Sequence, residues 1–341
     1  MIYLDNSATT KPHEAVMQTF LQVNEHYYAN PASIHCAGVE ANDLLMRARE
    51  QLAGILKTEN TNIIFTAGGT ESNNFALYGV ARASTHKGKH IIISEIEHPS
   101  VLEVAKLLAE EGFEVDYLRV NQNGHISLDE LARMIRKDTI LVSVMHINNE
   151  VGSIQPIEEI AKSVHANSRA IFHVDAVQSF GKIHVAFNGE DGPDIITVSG
   201  HKIHALKGSG IIAFRKYIKV AALLVGGGQE FGLRSGTVAV PQAVAFAKAA
   251  RLAVEHLTVS MEQYKNWNSG IRTFLQQFNN EVYLLSPING AGHILSFSVK
   301  GLKGEILINA LQKQDVIVST SSACSSKQTK NSHVVEALDV P

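Results

Sequence analysis

Short apolar, β-branched runs alternate with longer stretches of helical periodicity through most of this chain. The runs at residues 62–66, 89–94, 113–120, 139–145, 170–174, 194–199 and 210–214 have the length and composition of buried strands. Between them lie stretches that repeat every three to four positions. Residues 37–57 place Val39, Leu44, Leu45, Ala48, Leu52 and Leu56 on one face, and residues 75–83, 101–111 and 157–166 behave alike. Strand and helix in strict alternation predict an α/β fold, with a mostly parallel sheet covered by helices on both faces.

Helix ends are marked by turn chemistry. Pro12 suits the first position of a helix, as do Pro99, Pro156 and Pro241. Ser127 and Glu130 form a capping box for a helix running to residue 137, and Ser33 in the Asn-Pro-Ala-Ser loop reads as a cap for the helix that follows. From Pro241 the chain becomes a long alanine-rich helix. Residues 281–341 then read as a small α/β unit with a strand at 293–299, a helix at 304–314 and a strand at 316–320. The predicted division is an arm at 1–15, a large domain at 16–250 and a small domain at 251–341.

The chemistry collects where the strands end. Ligands of open α/β sheets bind outside the carboxyl ends of the strands. Asp175 and Gln178 close one strand, and Ser199-Gly-His-Lys202 closes the next. Lysine is rarely buried without a role, and burial lowers its pKa toward that of a usable nucleophile. A carboxylate for a pyridine nitrogen and a lysine for an aldehyde are the two anchors of pyridoxal phosphate. A third strand runs through Gly69 and Thr70 into a helix, which presents free backbone N–H groups and a positive dipole end to a phosphate. His98 and Asn149 follow two further strands. Cys324 lies on a serine-rich loop, where an exposed thiol is avoided unless used.

Composition narrows the classes. The 341 residues carry a formal net charge of −3, so nucleic acid and anionic membrane are not expected as partners. No run approaches a membrane span, and no basic segment leads into an apolar one at the N-terminus, so the cytoplasm is the expected location. Two cysteines, Cys36 and Cys324, make no disulfide framework and no metal-site spacing; Cys36 reads as structural. No metal is expected from the chain's own ligands.

Taken in order, Tyr3-Leu-Asp-Asn-Ser-Ala-Thr-Thr10, Asn30-Pro-Ala-Ser-Ile-His35, Gly69-Thr-Glu-Ser-Asn-Asn74, Glu97-His98, Asn148-Asn-Glu150, His173-Val-Asp-Ala-Val-Gln178, Ser199-Gly-His-Lys202, Arg234-Ser-Gly-Thr237 and Ser322-Ala-Cys-Ser325 resemble the cysteine desulfurases. These are class V aminotransferases of pyridoxal phosphate fold type I. The resemblance, which is to the subgroup with a long cysteine loop, implies a seven-stranded, mostly parallel sheet between helices and a smaller C-terminal domain. It implies that Lys202 carries the cofactor, that His98 stacks on its ring, and that Asp175, Gln178 and Asn149 bind the ring. Gly69, Thr70, Ser199, Gly200, His201 and Thr237 would cradle the phosphate, Thr237 reaching across a homodimer interface. L-cysteine would be the substrate. Lys202 or His98 would move its α-proton, and Cys324 would take the sulfur as a persulfide for an acceptor protein. The destinations implied are iron–sulfur clusters, tRNA thiolation or thiamine. Cys324 as a shared iron–sulfur ligand is left open.

Three features depart from the resemblance. Phe231 stands where an arginine is usual, and Ala205-Leu206 replace Gly-Pro. The sequence ends at Pro341, before the Arg-x-Ser segment whose arginine clamps the substrate carboxylate. Two other readings therefore stand beside the first: a selenocysteine lyase or other class V enzyme, and an inactive, cofactor-bearing dimer.

Overall fold

The computed structural model describes residues 1–57, 61–185, 187, 191–320 and 332–340. In chain order the elements are β1 (Ile2–Tyr3), α1 (Glu14–His26), α2 (Cys36–Ile55), β2 (Thr61–Thr66), α3 (Gly69–Ser84), β3 (His90–Ser94), α4 (Pro99–Glu110), β4 (Glu114–Leu118), α5 (Leu128–Met134), β5 (Thr139–Ser143), α6 (Ile157–Asn167), β6 (Ile171–Asp175), β7 (Ile195–Ser199) and β8 (Gly210–Arg215). There follow α7 (Val240–Glu255), α8 (Leu257–Leu275), β9 (Val282–Leu284), β10 (Phe297–Val299), α9 (Gly304–Gln312), β11 (Val316–Ile317) and α10 (His333–Ala337).

Seven strands form one sheet in the order β2-β8-β7-β6-β5-β3-β4. The pairings among β4, β3, β5, β6 and β7 are parallel, and β8 runs antiparallel to both of its neighbours. The alternation of side chains assigns each strand residue to a face. Ile63, Phe65, Ile92, Phe172, Val174, Ile196 and Val198 point into a core shared with α1, α2, α5, α6 and α7. Ile64, Ile91, Ile93, Ile171, Ile195 and Ile212 point into the opposite core, which α3 and α4 cover. Both faces are covered, so the central strands are buried along their whole length and mostly apolar. Removing one of these isoleucines would cost about 2–5 kcal/mol.

The arm crosses the molecule. β1 pairs in parallel with β11, so the first residues share a two-stranded sheet with the segment that follows α9. β9 and β10 form a second, antiparallel one. No described helix is long and apolar enough to cross a membrane.

Several boundaries differ from those expected. His13 rather than Pro12 opens α1, its Nδ1 accepting from the amide of Ala15 at 3.1 Å. His35 rather than Ser33 caps α2, accepting from Gly38 N. A histidine Nδ1 two or three residues before a free amide does the work of a capping hydroxyl. The strand expected at 293–299 is confined to Phe297–Val299, and that at 316–320 to Val316–Ile317, because each has a single partner strand of matching length. The helix after Ser127 ends at Met134, where Ile135 turns to an extended conformation. Cys36 is not buried: it is exposed at the first turn of α2.

Candidate active site

The carboxyl ends of β2, β3, β5, β6 and β7 lie on one edge of the sheet, and the predicted residues gather there. Asp175 is the last residue of β6 and Ser199 the last of β7, and the two strands are neighbours. A single 3₁₀ turn, Gly200–Lys202, follows Ser199 directly. This places the acid and the amine on adjacent strand ends.

Asp175 is buried and held from two sides. Its Oδ1 accepts from Val177 N at 2.9 Å, and its Oδ2 accepts from Asn73 Nδ2 at 2.7 Å. Lys202 Nζ donates to the carbonyl oxygens of Ser7 and, at 2.7 Å, Ala8. The arm thus roofs the lysine. His201 faces the same arm, its Nδ1 lying 3.2 Å from Thr9 Oγ1. Burial, then the charges of Lys202, Lys207 and Lys182, pulls the His201 pKa down to about 4. Lys182 lies in the turn after Gln178, and burial followed by repulsion from Lys202 brings its pKa down to about 7.

α3 begins at Gly69 behind Gly68, whose φ of +146° is glycine territory and which offers no side-chain cap. A Cβ on Gly69 would come within 2.9 Å of Val177 Cγ2 and 3.4 Å of Ser199 Cβ. The helix start is therefore packed against the ends of β6 and β7. Two buried oxygens at this place have no partner among the described residues: Ser199 Oγ and Gln178 Oε1. Gln178 spends its Nε2 on Ser7 O. Unpaired buried polar atoms are rare and call for a ligand or water.

His98 caps α4, its Nδ1 accepting from Ser100 N at 3.1 Å. Burial lowers its pKa first; Asp175 raises it, and Lys202 and His333 lower it. Asn149 is half-buried at the mouth of β5 beside Asn148, which is buried and internally bonded to Ile96 O, Glu150 N and Val151 N. Thr70 is exposed in the first turn of α3. Thr237 is exposed on the loop between β8 and α7. Cys324 lies outside the described residues. Among the described residues, no group of three or more His, Cys, Asp or Glu could hold a metal ion.

Sequence reasoning missed Asn73, Ser100 and the carbonyls of the arm. Asn73 carries a detectable signal. It shares a helix face with Ala76, Leu77 and Val80, all fully buried, and a polar side chain on an apolar face needs a partner. The arm carbonyls have no such signal, because any residue supplies one.

A lysine and a carboxylate at adjacent strand ends, beside an uncapped helix start, define a cofactor-dependent α/β enzyme. The chain belongs to the class-V aminotransferase family, whose model matches residues 2–338 and whose enzymes work with pyridoxal 5′-phosphate. It is 39% identical over 341 residues to a cysteine desulfurase IscS of Dictyoglomus turgidum, covering 100% of this chain and 86% of that one. Among solved structures, a NifS-like protein superposes with a TM-score of 0.91 at 36% identity, covering 99% of this chain and 89% of that one. A structure described as SspA in complex with cysteine matches with a TM-score of 0.85 at 30% identity, covering 100% and 95%.

The donor set fits the cofactor. Asp175 suits a protonated ring nitrogen, and Lys202 suits an aldehyde. Ser199 Oγ and the α3 amides suit a phosphate, and the orphaned Gln178 Oε1 is the kind of atom a ring hydroxyl would satisfy.

Proposed function

We propose that this chain is a cysteine desulfurase that converts L-cysteine to L-alanine and passes the sulfur to an acceptor protein. The observation that carries the reading is the placement of Asp175 and Lys202 at neighbouring strand ends, beside the glycine start of α3. Relatives named as cysteine desulfurases support it, as does the likeness to SspA in complex with cysteine.

When bound, pyridoxal phosphate supplies an electron sink that lowers the cost of removing the substrate's α-proton. The residues of the chain do the rest. Asp175 would hold a positive charge on the ring nitrogen, Gln178 and Asn149 would bond the ring oxygen, and His98 would cover the ring face. Gly69, Thr70, Ser199, Gly200 and His201 would hold the phosphate, with Thr237 contributed by a second copy of the chain. The Nζ of Lys202 takes the proton from the substrate Cα and later delivers one to Cβ. The thiolate of Cys324 attacks the substrate sulfur. The Cβ–S bond breaks and an S–S bond forms; the α-proton and the proton of the substrate thiol go back to carbon, one to Cβ and one to Cα, so cysteine leaves as alanine and Cys324 holds a persulfide anion.

The test is to incubate purified protein with L-cysteine, quantify alanine and take the mass of the Cys324 peptide. One added sulfur per chain and matching alanine are expected. Cys324→Ala should keep the cofactor's colour and form no persulfide. Alanine without sulfur on Cys324 would remove that residue from the reaction. Borohydride reduction should attach the cofactor to the Lys202 peptide, and attachment elsewhere would end the reading.

A further inference from the structure

A continuous line of hydrogen bonds runs under the site from β5 to His98, and its direction can be worked out from the charges. Asn73, which is buried, sits at its centre. Its Nδ2 lies 2.7 Å from Asp175 Oδ2 and 2.9 Å from Ser100 Oγ, and its Oδ1 accepts from Thr197 Oγ1. A carboxylate oxygen can only accept, so the amide must turn its NH₂ group toward Asp175. The opposite orientation would set two oxygens 2.7 Å apart beside a negative charge. With the amide fixed, everything bonded to it is fixed as well.

On one side, Thr197 spends its proton on Asn73 Oδ1. It must then accept from His173 Nε2, 3.2 Å away, which leaves His173 Nδ1 to accept from Ser143 Oγ at 2.8 Å. His173 is fully buried, and burial takes its pKa down to about 3, which agrees with a neutral ring. On the other side, Ser100 Oγ accepts from Asn73 and so turns its own proton to His98 Nδ1, 2.8 Å away. Ser100 N points at the same nitrogen. Two donors on Nδ1 leave the neutral ring's proton on Nε2. Every group in the line gives one proton onward, from Ser143 through His173, Thr197, Asn73 and Ser100 to His98.

We propose that Asn73, oriented by the carboxylate of Asp175, is a positioning residue that aims the Ser100 hydroxyl at Nδ1 and so, together with the Ser100 amide, holds His98 as a proton donor at Nε2. His98 then cannot collect the substrate's α-proton, which is left to Lys202; this consequence rests on the function proposed above. The groups that act on His98 from the surrounding elements are Asp175, Lys202 and His333, the last bonded through Nε2 to Glu97 O. None of them is placed to donate to Nδ1 in the way that Ser100 does.

The test reads ring tautomers by NMR in the full chain labelled with ¹⁵N-histidine, with cofactor bound and stripped. The His98 signal is assigned by its loss in His98→Gln. In the wild-type chain His98 should carry its proton on Nε2 at neutral pH. Ser100→Ala should keep the fold and the backbone cap, so the Nε2–H tautomer persists through the Ser100 amide, while loss of the hydroxyl donor to the neutral ring shifts the His98 titration midpoint upward. Asn73→Ala should do the same and also disturb His173. If Asn73→Ala does not fold, Ser100→Ala decides alone. A wild-type His98 protonated on Nδ1, or a midpoint unchanged in Ser100→Ala, would overturn the proposal. The stripped-protein spectra do not depend on turnover, so a chain that shows this tautomer yet makes no persulfide would count against the function and not against the network.

Discussion

The ammonium of Lys202 donates to the carbonyl of Ala8 at 2.7 Å, across 194 positions of sequence. The contact is one of several that tie the arm to the lysine's turn. Thr10 Oγ1 donates to His201 O at 2.9 Å and accepts from His204 N at 2.8 Å. Thr10 N also donates to His201 O, and His13 N to His204 O. The arm therefore holds the backbone on both sides of Lys202 in register.

Thr10→Val keeps the shape and removes two of these bonds, leaving the part-buried His204 N without this acceptor. The expected loss is about 1–3 kcal/mol. It should appear as a lower urea midpoint at unchanged m-value, together with faster loss of bound cofactor on dilution. A midpoint equal to wild type would show that the Thr10 hydroxyl adds nothing to the backbone and Lys202 bonds that hold the arm.

Gly69→Ala tests the packing of the α3 start. The new methyl would meet Val177 Cγ2 at 2.9 Å, so the helix start must back away from β6 and β7 by a few tenths of an ångström. Stability should change little, because the first turn of a helix can shift. The dissociation constant for pyridoxal phosphate should rise about 10-fold, equivalent to about 1.4 kcal/mol. The measurement is cofactor fluorescence or absorbance titrated against stripped protein. Equal affinity in wild type and variant would place the phosphate elsewhere.

Much of this site was legible in the sequence because its parts are strand ends. An apolar five-residue run locates a strand, and the residue after it is then at the sheet edge, which is how Asp175, Ser199 and Lys202 could be placed together. The antiparallel insertion of β8 carried no signal of its own, since Gly210–Arg215 is as apolar as a parallel strand. Helix caps made by His13 and His35 were hard to foresee, because histidine is a less usual cap than serine or aspartate. The direction of the Asn73 network was not legible at all. It depends on which atoms of five elements come within hydrogen-bond distance, and periodicity does not encode that.

Glu150 links the mouth of β5 to the start of α10. Its Oε2 accepts from Ser332 Oγ, and Ser332 in turn caps α10 by accepting from Val334 N and Val335 N. Burial pushes the Glu150 pKa from 4.5 up to about 7, with the Ser332 bond opposing the rise. The folded chain thus holds a proton there that the unfolded chain releases between pH 4.5 and 7, and stability from this group must fall as pH rises through that window. The full effect is of order 3 kcal/mol. Glu150→Gln keeps an acceptor for Ser332 and cannot ionise, so its stability should be flatter with pH and higher than wild type at pH 8. Parallel pH–stability curves for the two proteins would show that Glu150 ionises as freely as an exposed carboxyl.

The buried pair Arg49–Glu230 explains one departure from the family pattern and gives the sharpest stability test. Glu230 accepts from Arg49 Nη2 at 2.8 Å, from Nη1 at 3.1 Å and from Phe65 N at 2.9 Å. The guanidinium carbon lies 5.0 Å from the ring centres of both Phe65 and Phe231. Phe231 therefore covers the arginine that its acid partner holds, although 62% of it remains accessible. Both Glu230 and Phe231 have positive φ, 49° and 58°, a strain that only a well-anchored loop sustains. Glu230→Ala would leave a buried guanidinium unpaired and should cost about 3–5 kcal/mol. Phe231→Ala loses mainly a partly exposed cation–π contact, and should cost about 0.5–1 kcal/mol. Arg49→Met combined with Glu230→Leu removes both charges and should recover most of the loss seen in Glu230→Ala, measured by denaturant melts on all three proteins. If the double variant is as unstable as the single one, the loop is held by the geometry of the bidentate pair itself and not merely by the need to neutralise a buried charge.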